Sequence, residues 1–425
     1  MTNIPKTSGI SYSFIPTNRF KTTLISVGFY LPLSKNNASN ALTLSLMKSG
    51  TEALSDTYLL NRKLASLYGA GITSWVAKQG DCQELRIGIT VNDNKYSLNG
   101  ENVVDEAGAL LCDMIFGRFI SGSNFPKDAI AREKRLLCEA IEGKLNDKRT
   151  YARNRCEEIM CEGEPYGLSQ EGTVDEVNAV TDNDIRLSLE KMLKTAFISV
   201  LVIGAKEPTL FAERFFECVN SVRREFKSLP SDTVSAAGEL REVTETMPVK
   251  QGKVVLGLRS PNGGNDRDTV ANWVMGDIFG GGPYSKLFCN VREKMSLCYY
   301  CSARPVRRKG IILVDSGVED ANIESAKAAI LDQLNDMVNG NFSDKDITSS
   351  KLSMCDSIRS AESEQESLAR WYAARALEES PASPSEICEL ITSVTKEDIM
   401  NAAKTFSLDT VYILRPDGSL KEEEE

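Results

Sequence analysis

Apolar and polar residues along this chain follow two periodicities, and segments of the two kinds succeed one another in a regular order. Runs with apolar residues at successive or alternate positions predict β-strands, whereas apolar residues spaced three and four apart predict helices. In the first half, strands are predicted at residues 23–33, 71–77, 84–91 and 198–204. Helices are predicted at residues 39–48, 55–68, 103–116, 126–145 and 182–193.

The second half repeats this order of elements. The predicted elements are a strand at 253–259, helices from 268 and from 284, strands that end at 314, helices at 323–338 and 344–378, and a strand at 411–414. Helices that return to one face of a mostly antiparallel sheet form an α+β layer. The pattern therefore predicts an α+β fold that is built twice.

Three short motifs recur in the same order in both halves, as an internal duplication requires. The matched pairs are residues 61–68 with 290–297, 124–130 with 341–347, and 180–185 with 394–399. The first pair places Ser66 against Ser296, and the separation within the pairs falls slowly along the chain. Duplication followed by small deletions in the second copy explains this better than chance.

The segment between the two copies differs from both of them. It holds one predicted helix, at 210–226, and then a stretch rich in Ser, Pro, Ala and Glu that is typical of a linker. The sequence therefore predicts domains at 1–206 and 250–425, joined by a helix and linker at 207–249.

The amino-acid composition of the chain argues against several classes of protein function. The 425 residues include no histidine, the commonest general base and metal ligand. A net charge of −10 argues against a nucleic-acid-binding surface, and no run of about 18 to 20 apolar residues predicts a membrane helix. The polar start lacks a signal-peptide pattern, so we expect a cytoplasmic protein.

The eleven cysteines show no framework spacing, and their odd number favours a reducing compartment. Cys298 and Cys301 do form a Cys-x-x-Cys motif, which leaves redox chemistry open as a minor hypothesis. Strand alternation would put the two sulfurs on opposite faces, unless the chain turns between them. A zinc site is disfavoured because no second cysteine pair has zinc-ribbon spacing and no histidine can complete the site.

Several short motifs now carry a family resemblance. The run Phe-Gly-Gly-Gly-Pro-Tyr-Ser-Lys-Leu-Phe at 279–288 precedes Arg-Glu-Lys-Met-Ser-Leu-Cys-Tyr at 292–299. In the first copy, Gly50-Thr51 follows the first helix, and residues 133–141 contain a Glu-x-x-Leu-Leu-x-Glu-type pattern. With the doubled order of elements, these motifs resemble the insulinase or pitrilysin family of zinc peptidases over nearly the whole chain.

The resemblance implies two homologous α/β-roll domains, of the LuxS and mitochondrial processing peptidase type, that form half of a clam shell. It also implies a zinc motif, His-x-x-Glu-His, on the first helix. Anchored on Gly50-Thr51, the two histidine positions fall on Ala41 and Ser45, and the glutamate position falls on Leu44. The third ligand position falls on Ala140. We therefore expect neither zinc nor any other cofactor in this chain.

The second copy keeps residues that the family uses for substrate. Arg292 and Tyr299 have the family's seven-residue spacing, and both side chains are donors suited to a peptide carbonyl and its oxyanion. Without the family they are an ordinary helix arginine and strand tyrosine. The glycines at 280–282 lack the Gly-Lys-Ser/Thr ending of a nucleotide loop, so we expect them to let the backbone approach a neighbour or a peptide at a helix start.

The first copy lacks the zinc-motif residues, and the second copy retains Arg292 and Tyr299. This combination predicts a non-catalytic subunit of a heterodimeric bacterial peptidase. The expected partner is an insulinase-like subunit that carries His-x-x-Glu-His and the zinc, and the expected substrate is a peptide. A scaffold or peptide-binding protein without proteolysis, in heterodimeric or homodimeric form, is the alternative. A peptide-modifying or redox protein that uses Cys298 and Cys301 is the third hypothesis.

Overall fold

The computed structural model describes residues 2–4, 9–263 and 267–419, and its fold is α+β, as predicted. The strands are β1 (Thr2–Ile4), β2 (Ile10–Pro16), β3 (Thr22–Pro32), β4 (Gly71–Gln79), β5 (Cys82–Asn92), β6 (Phe197–Gly204), β7 (Arg241–Met247), β8 (Gly252–Arg259), β9 (Tyr300–Val306), β10 (Ile311–Val318) and β11 (Ser407–Pro416).

Both halves of the chain contain helices. They are α1 (Asn37–Lys48), α2 (Thr57–Ser66), α3 (Val103–Cys112), α4 (Arg118–Ser121), α5 (Lys127–Gly143), α6 (Lys148–Met160), α7 (Val174–Ala179), α8 (Asp182–Thr195), α9 (Thr209–Ser221), α10 (Arg267–Gly280), α11 (Ile323–Val338), α12 (Asp344–Ser360), α13 (Gln365–Ala373), α14 (Pro384–Ser393) and α15 (Lys396–Thr405). Two π-helices, Asp113–Gly117 and Leu287–Lys294, add wider turns.

The strand order shows the duplication directly. One sheet has the order β1-β2-β6-β3-β5-β4, and the other has the order β7-β11-β8-β10-β9. Strand β2 runs parallel to β6 in the first sheet, as β7 runs parallel to β11 in the second, and the other neighbouring strands are antiparallel. Apart from β1, the two sheets therefore share one five-stranded topology.

The chain folds into two compact units, and each contains residues from both halves of the sequence. The first unit comprises Met1–Glu142, Leu168–Ser231 and Ala361–Pro381. The second comprises Gly143–Gly167, Asp232–Ser360 and Ala382–Glu425. Helix α6 thus belongs to the second unit although it follows α5 in the chain, and α13 belongs to the first.

Strand alternation builds the core of the first unit. Along β3, Ile25, Val27 and Phe29 point to the face that packs on α1, α3, α8 and α9. The intervening Leu24 points to the opposite face and packs with Leu368 of α13. Because helices cover both faces, β3 is buried along almost its whole length.

Helix α6 plays the corresponding role in the second unit. Its Ala152, Cys156 and Met160 pack on strand residues that include Val255 and Ile311. A side chain at Gly257 of β8 would lie 2.7 Å from the Met160 sulfur, so the glycine lets the helix approach the strand closely.

The segment predicted as helix and linker contains more structure than the sequence indicated. Helix α9 ends at Ser221, earlier than predicted, and β7 joins the second sheet. The helix predicted at 344–378 is divided into α12 and α13. Within the described residues, no helix is both long and apolar enough to span a membrane.

Candidate functional site

The positions that would form a zinc site hold side chains that cannot ligate the metal. Ala41 and Leu44 on α1 are only 1% and 2% exposed and contribute apolar atoms to the interior. The half-buried Ser45 donates its hydroxyl to the Ala41 carbonyl at 3.3 Å. A zinc peptidase needs two imidazoles and a carboxylate at these positions. In this chain, α1 uses them to pack against the interior.

The third ligand position offers no substitute. Ala140 is exposed on α5, and the neighbouring Glu139 pairs with Arg135 at 2.9 Å. Among the described residues, no three His, Cys, Asp or Glu side chains are grouped so that they could hold a metal ion. The side chains at these motif positions do not fit zinc.

Arg292 lies on the second π-helix, Leu287–Lys294. The buried Leu287 and Val291 anchor this helix, and Arg292 faces outward with 39% of its side chain exposed. Its guanidinium lies 4.5 Å from the centre of the Phe288 ring, and its Nε is 3.6 Å from Glu293 Oε1. The arginine is thus held over an aromatic face while its donors stay accessible.

Tyr299 lies one residue before β9, rather than within a strand as the sequence indicated. The strand starts at Tyr300, opposite Gly317, although the Tyr299 N–H already donates to the Gly317 carbonyl at 2.9 Å. The Tyr299 side chain is 50% exposed, and its hydroxyl donates to Glu319 at 3.0 Å. This position at the strand entrance leaves the phenol accessible.

Glu319 was not recognised from the sequence, although hairpin register could have found it. Strands β9 and β10 are adjacent and antiparallel, with Tyr300 opposite Gly317. Extending that register places the end of β10 beside Tyr299. A carboxylate just after β10 was therefore a foreseeable partner for the phenol.

The triple glycine lies at the C-terminal end of α10, and not at a helix start as the sequence pattern predicted. A Cβ atom at Gly280 would come within 2.5 Å of the Ala303 backbone nitrogen, and one at Gly281 would come within 2.1 Å of the Asp277 carboxylate. A Cβ at Gly282 would meet the Tyr284 ring at 2.9 Å. The glycines allow the end of α10 to pack tightly against β9 and against its own final turn.

A partly buried carboxylate fixes this glycine turn. Asp277 accepts hydrogen bonds from the Tyr284 hydroxyl at 2.7 Å and from the Ser350 hydroxyl at 2.6 Å. Burial raises the pKa of Asp277, and these two hydrogen bonds oppose that rise. The turn after α10 is therefore tied to α12.

Cys298 and Cys301 lie on either side of the start of β9. Cys298 precedes the strand and Cys301 lies within it, so the chain turns between them, which is one of the two possibilities left open by the sequence. The neighbouring Cys301 thiol, the Ser316 hydroxyl and the positive charge of Arg292 lower the pKa of Cys298 to about 7, against the opposing effect of burial.

Strand β9 is the last strand of its sheet within the described part of the chain. The outer edge of such a strand presents backbone N–H and C=O groups that an extended peptide can pair with. Pro305 lies in β9 and has no N–H, as is usual for outer strands. Arg292, Tyr299 and the glycine turn therefore surround the beginning of an outer strand.

Comparison with known proteins shows similarity to one peptidase family. Residues 179–354 match the family model described as the Peptidase M16 inactive domain. The chain is 28% identical over 411 residues to the "Probable inactive metalloprotease YmfF" of Bacillus subtilis (strain 168), covering 96% of each chain. The chain is thus similar to proteins of the M16 peptidase family.

Solved structures share the M16 fold over the whole length of the chain. A conserved protein from Enterococcus faecalis V583 is similar with a TM-score of 0.90 at 24% identity, covering 99% of each chain. A protein described as a peptidase M16 inactive domain, from Pseudomonas fluorescens, has a TM-score of 0.79 at 16% identity, again covering 99% of each chain. These similarities confirm the predicted two-domain fold class.

The comparisons also support a non-catalytic role within the M16 family. The matching family model is that of an inactive domain, and the first-copy motif positions hold Ala41, Leu44 and Ser45. The predicted resemblance to an inactive member of the M16 family is therefore confirmed.

Proposed function

We propose that this chain is the non-catalytic subunit of a heterodimeric M16 zinc peptidase. Its partner carries His-x-x-Glu-His and the zinc, and this chain supplies Arg292 and Tyr299 to the peptide substrate. The observation that carries the proposal is the contrast between the two copies. The motif positions in the first copy are apolar or lack a ligating group, whereas two partly exposed donors flank an outer strand in the second.

The geometry supports a peptide in an extended conformation. Backbone groups along the outer edge of β9 can add a peptide strand, which gives affinity without sequence preference. The guanidinium of Arg292 and the phenol of Tyr299 can then donate to a peptide carbonyl. Donors aimed at the oxygen that becomes negative during amide hydrolysis stabilise the transition state.

Tyr299 must release Glu319 before it can donate to a substrate. Its hydroxyl donates to Glu319, so the phenol must exchange this acceptor for the peptide carbonyl when substrate binds. A half-exposed phenol can make this exchange by a side-chain rotation. We therefore treat the Tyr299–Glu319 contact as the resting state of the donor.

We place the proposed heterodimer in the cytoplasm. No disulfide joins any of the eleven cysteines, all of which lie in described residues. Proteins in reducing compartments keep such thiols reduced. The absence of a broad positive charge agrees with a peptide substrate in preference to a nucleic acid.

The assembly is tested by isolating the tagged chain from a native lysate, identifying co-purifying proteins by mass spectrometry, and measuring zinc in the purified complex. A stoichiometric partner with His-x-x-Glu-His, and about one zinc for each pair of chains, is the expected result. A metal-free self-dimer, or a partner without that motif, would contradict the heterodimeric peptidase.

A peptide-binding or scaffold protein without proteolysis is the second candidate. One observation favours it: both donors already have internal acidic neighbours, Glu293 for Arg292 and Glu319 for Tyr299. A metal-free homodimer that binds unfolded peptides would match this candidate. The zinc measurement on the isolated complex separates the two functions.

A further inference from the structure

A small cavity opens in the first unit, between helix α8 and the turn that joins α4 to α5. Its volume is about 240 Å³. We propose that this cavity binds a small aromatic carboxylate with a single ring. All residues that line the cavity belong to the first unit, and neither Arg292 nor Tyr299 is among them. The proposal is therefore independent of the proposed peptidase function.

Apolar side chains form one part of the lining. They belong to, or pack against, the core of the first unit: Phe119, Phe125, Ile130, Ile185 and Leu189. Two of them are aromatic, and aromatic rings pack favourably against one another. Pockets for drug-sized ligands measure about 300–1,000 Å³, so this smaller cavity suits a ligand with one ring.

Arg118 brings a buried positive charge to the lining. The residue is only 8% exposed, and its guanidinium lies 4.8 Å from the centre of the Phe125 ring. It donates to the backbone carbonyls of Asn124 at 3.0 Å and Thr51 at 3.2 Å, while its Nε has no hydrogen-bond partner among the described residues. Burial lowers the pKa of Arg118, and the charge of Glu52 only partly opposes this effect. Because a guanidinium has five N–H donors, two bonds to neutral carbonyls leave it able to bind an anion.

The other charged residues leave the lining with a net positive charge. The cavity is lined by three cations and two carboxylates: Arg118, Arg186, Lys194, Asp182 and Glu190. Glu190 already has two cationic partners, Lys194 Nζ at 2.5 Å and Arg186 at 3.7 Å. This local excess of positive charge contrasts with the net charge of −10 of the whole chain. A ligand carboxylate would gain a charge-assisted hydrogen bond in a partly enclosed site, where such bonds are strong.

The second copy covers the corresponding turn with its own side chain. In the duplication, Phe342 matches Phe125 and Lys396 matches Asp182. Lys396 Nζ donates to the Phe342 carbonyl at 2.8 Å and lies 4.9 Å from the centre of the Phe342 ring. The Asp182 side chain is too short to cover the matching turn in this way, so the cavity stays open in the first copy.

One helical turn further along, the two copies differ again. Met400 of α15 packs on Gly340, and its sulfur lies 2.9 Å from the place where a Cβ atom at that glycine would be. The matching residue of α8 is Arg186, which is exposed and lines the cavity. Replacing Asp182 and Arg186 with the residues of the second copy should therefore fill the cavity.

The first experiment titrates the purified full-length chain with 3-phenylpropionate by ligand-observed NMR. We expect saturable binding, with a Kd at least about 10-fold lower than that of 3-phenylpropanol, which keeps the ring but lacks the carboxylate. Arg118→Gln removes the guanidinium and should bring the two Kd values to within about 2-fold of each other. Equal binding of the acid and the alcohol by the parent chain, or no saturable binding of the acid, would overturn the proposal.

A second variant keeps the cavity under test if the buried Arg118 proves necessary for folding. Asp182→Lys combined with Arg186→Met changes two exposed positions and copies the arrangement of the second copy. We expect the Kd for 3-phenylpropionate to rise at least about 10-fold, although the two substitutions together make the lining more positive. Glu217→Lys, at an exposed position of α9 outside the cavity, is the control and should leave the Kd unchanged. Binding by the double variant with the affinity of the parent chain would place the ligand elsewhere and refute the assignment.

Discussion

Arg292 and Tyr299 each contact an acidic residue of the protein and are each partly exposed to solvent. Each keeps a large fraction of its side chain in solvent while one acidic neighbour holds it in place. Exposed contacts of this kind contribute only about 0.2–1 kcal/mol, so a substrate group can displace the neighbour without a large cost in free energy. The same two residues can therefore be ordered before substrate binds and available when it arrives.

Removing the resting partner of Tyr299 should strengthen peptide binding. In Glu319→Ala the phenol no longer has to break its hydrogen bond to Glu319, and the Kd for an extended peptide should fall about 2-fold to 5-fold. Fluorescence anisotropy with a labelled unfolded peptide and the purified complex measures the change. Glu324→Ala removes another exposed carboxylate, in the first turn of α11, and should leave the Kd unchanged. Weaker binding in Glu319→Ala would contradict the assigned resting state.

Candidate site residues could be predicted from the sequence only where they belong to a recognisable motif. Arg292 and Tyr299 were found through their spacing, and the positions of Ala41 and Ser45 through the neighbouring Gly50-Thr51. The position of Cys298 outside the strand was not predictable, because it depends on where β9 begins. In a strand that started at Cys298, the two sulfurs would lie on opposite faces.

At the scale of elements, the end of α10 shows how the glycine run sets a packing distance. Gly280 is the last residue of α10, and its Cα lies against the backbone of β9 at Ala303. In the first copy, Gly143 ends α5 with open space where a side chain would be. The two positions share a helix end and differ in their surroundings.

This difference predicts opposite effects of the same substitution. Gly280→Ala should lower the stability of the second unit by about 1–3 kcal/mol, because the new methyl group overlaps the backbone of Ala303. Gly143→Ala should be neutral or stabilise by up to about 1 kcal/mol, since alanine restricts the unfolded chain and meets no neighbour. Urea unfolding followed by circular dichroism compares both variants with the parent chain. Equal stability of Gly280→Ala and the parent would refute the tight packing.

Element prediction succeeded where the apolar pattern was strong. The strands at β3, β5 and β6 and the helix α11 lie close to their predicted bounds. Helix α6 was missed because its buried stripe consists of Ala152, Cys156 and Met160, which give a weak periodic signal. Helices α14 and α15 were also missed, although both begin with capping boxes, at Ser383 with Glu386 and at Thr395 with Asp398.

At the scale of the whole molecule, the two compact units do not follow the order of the sequence. The first unit needs α13 from the second half of the chain, and the second unit needs α6 from the first half. The duplication predicted two halves, and the shared strand order confirms their common topology. Exchange of these helices could not be predicted, because periodicity shows which face of a helix is apolar and not which sheet it covers.

The exchange predicts that the halves do not fold separately. A fragment of residues 1–206 retains α6 but lacks α13, so Leu24, Leu201 and Ile203 lose their cover on one face of the first sheet. We expect this fragment to aggregate and to bind a hydrophobic dye, as measured by size-exclusion chromatography and fluorescence. Fragments 1–231 and 232–425, produced together, should associate into a complex of the parent size. A monomeric fragment 1–206 that unfolds cooperatively would contradict the exchange.

The peptidase activity of the purified complex measures whether this chain supplies substrate donors to a catalytic partner. Arg292→Ala and Tyr299→Phe should each lower kcat/KM by about 100-fold or more, as removal of an oxyanion donor does, while the complex stays assembled. Arg62→Ala, at the exposed arginine position that matches Arg292 in the first copy, should retain full activity. Unchanged activity in both donor variants, with the complex intact, would contradict the account.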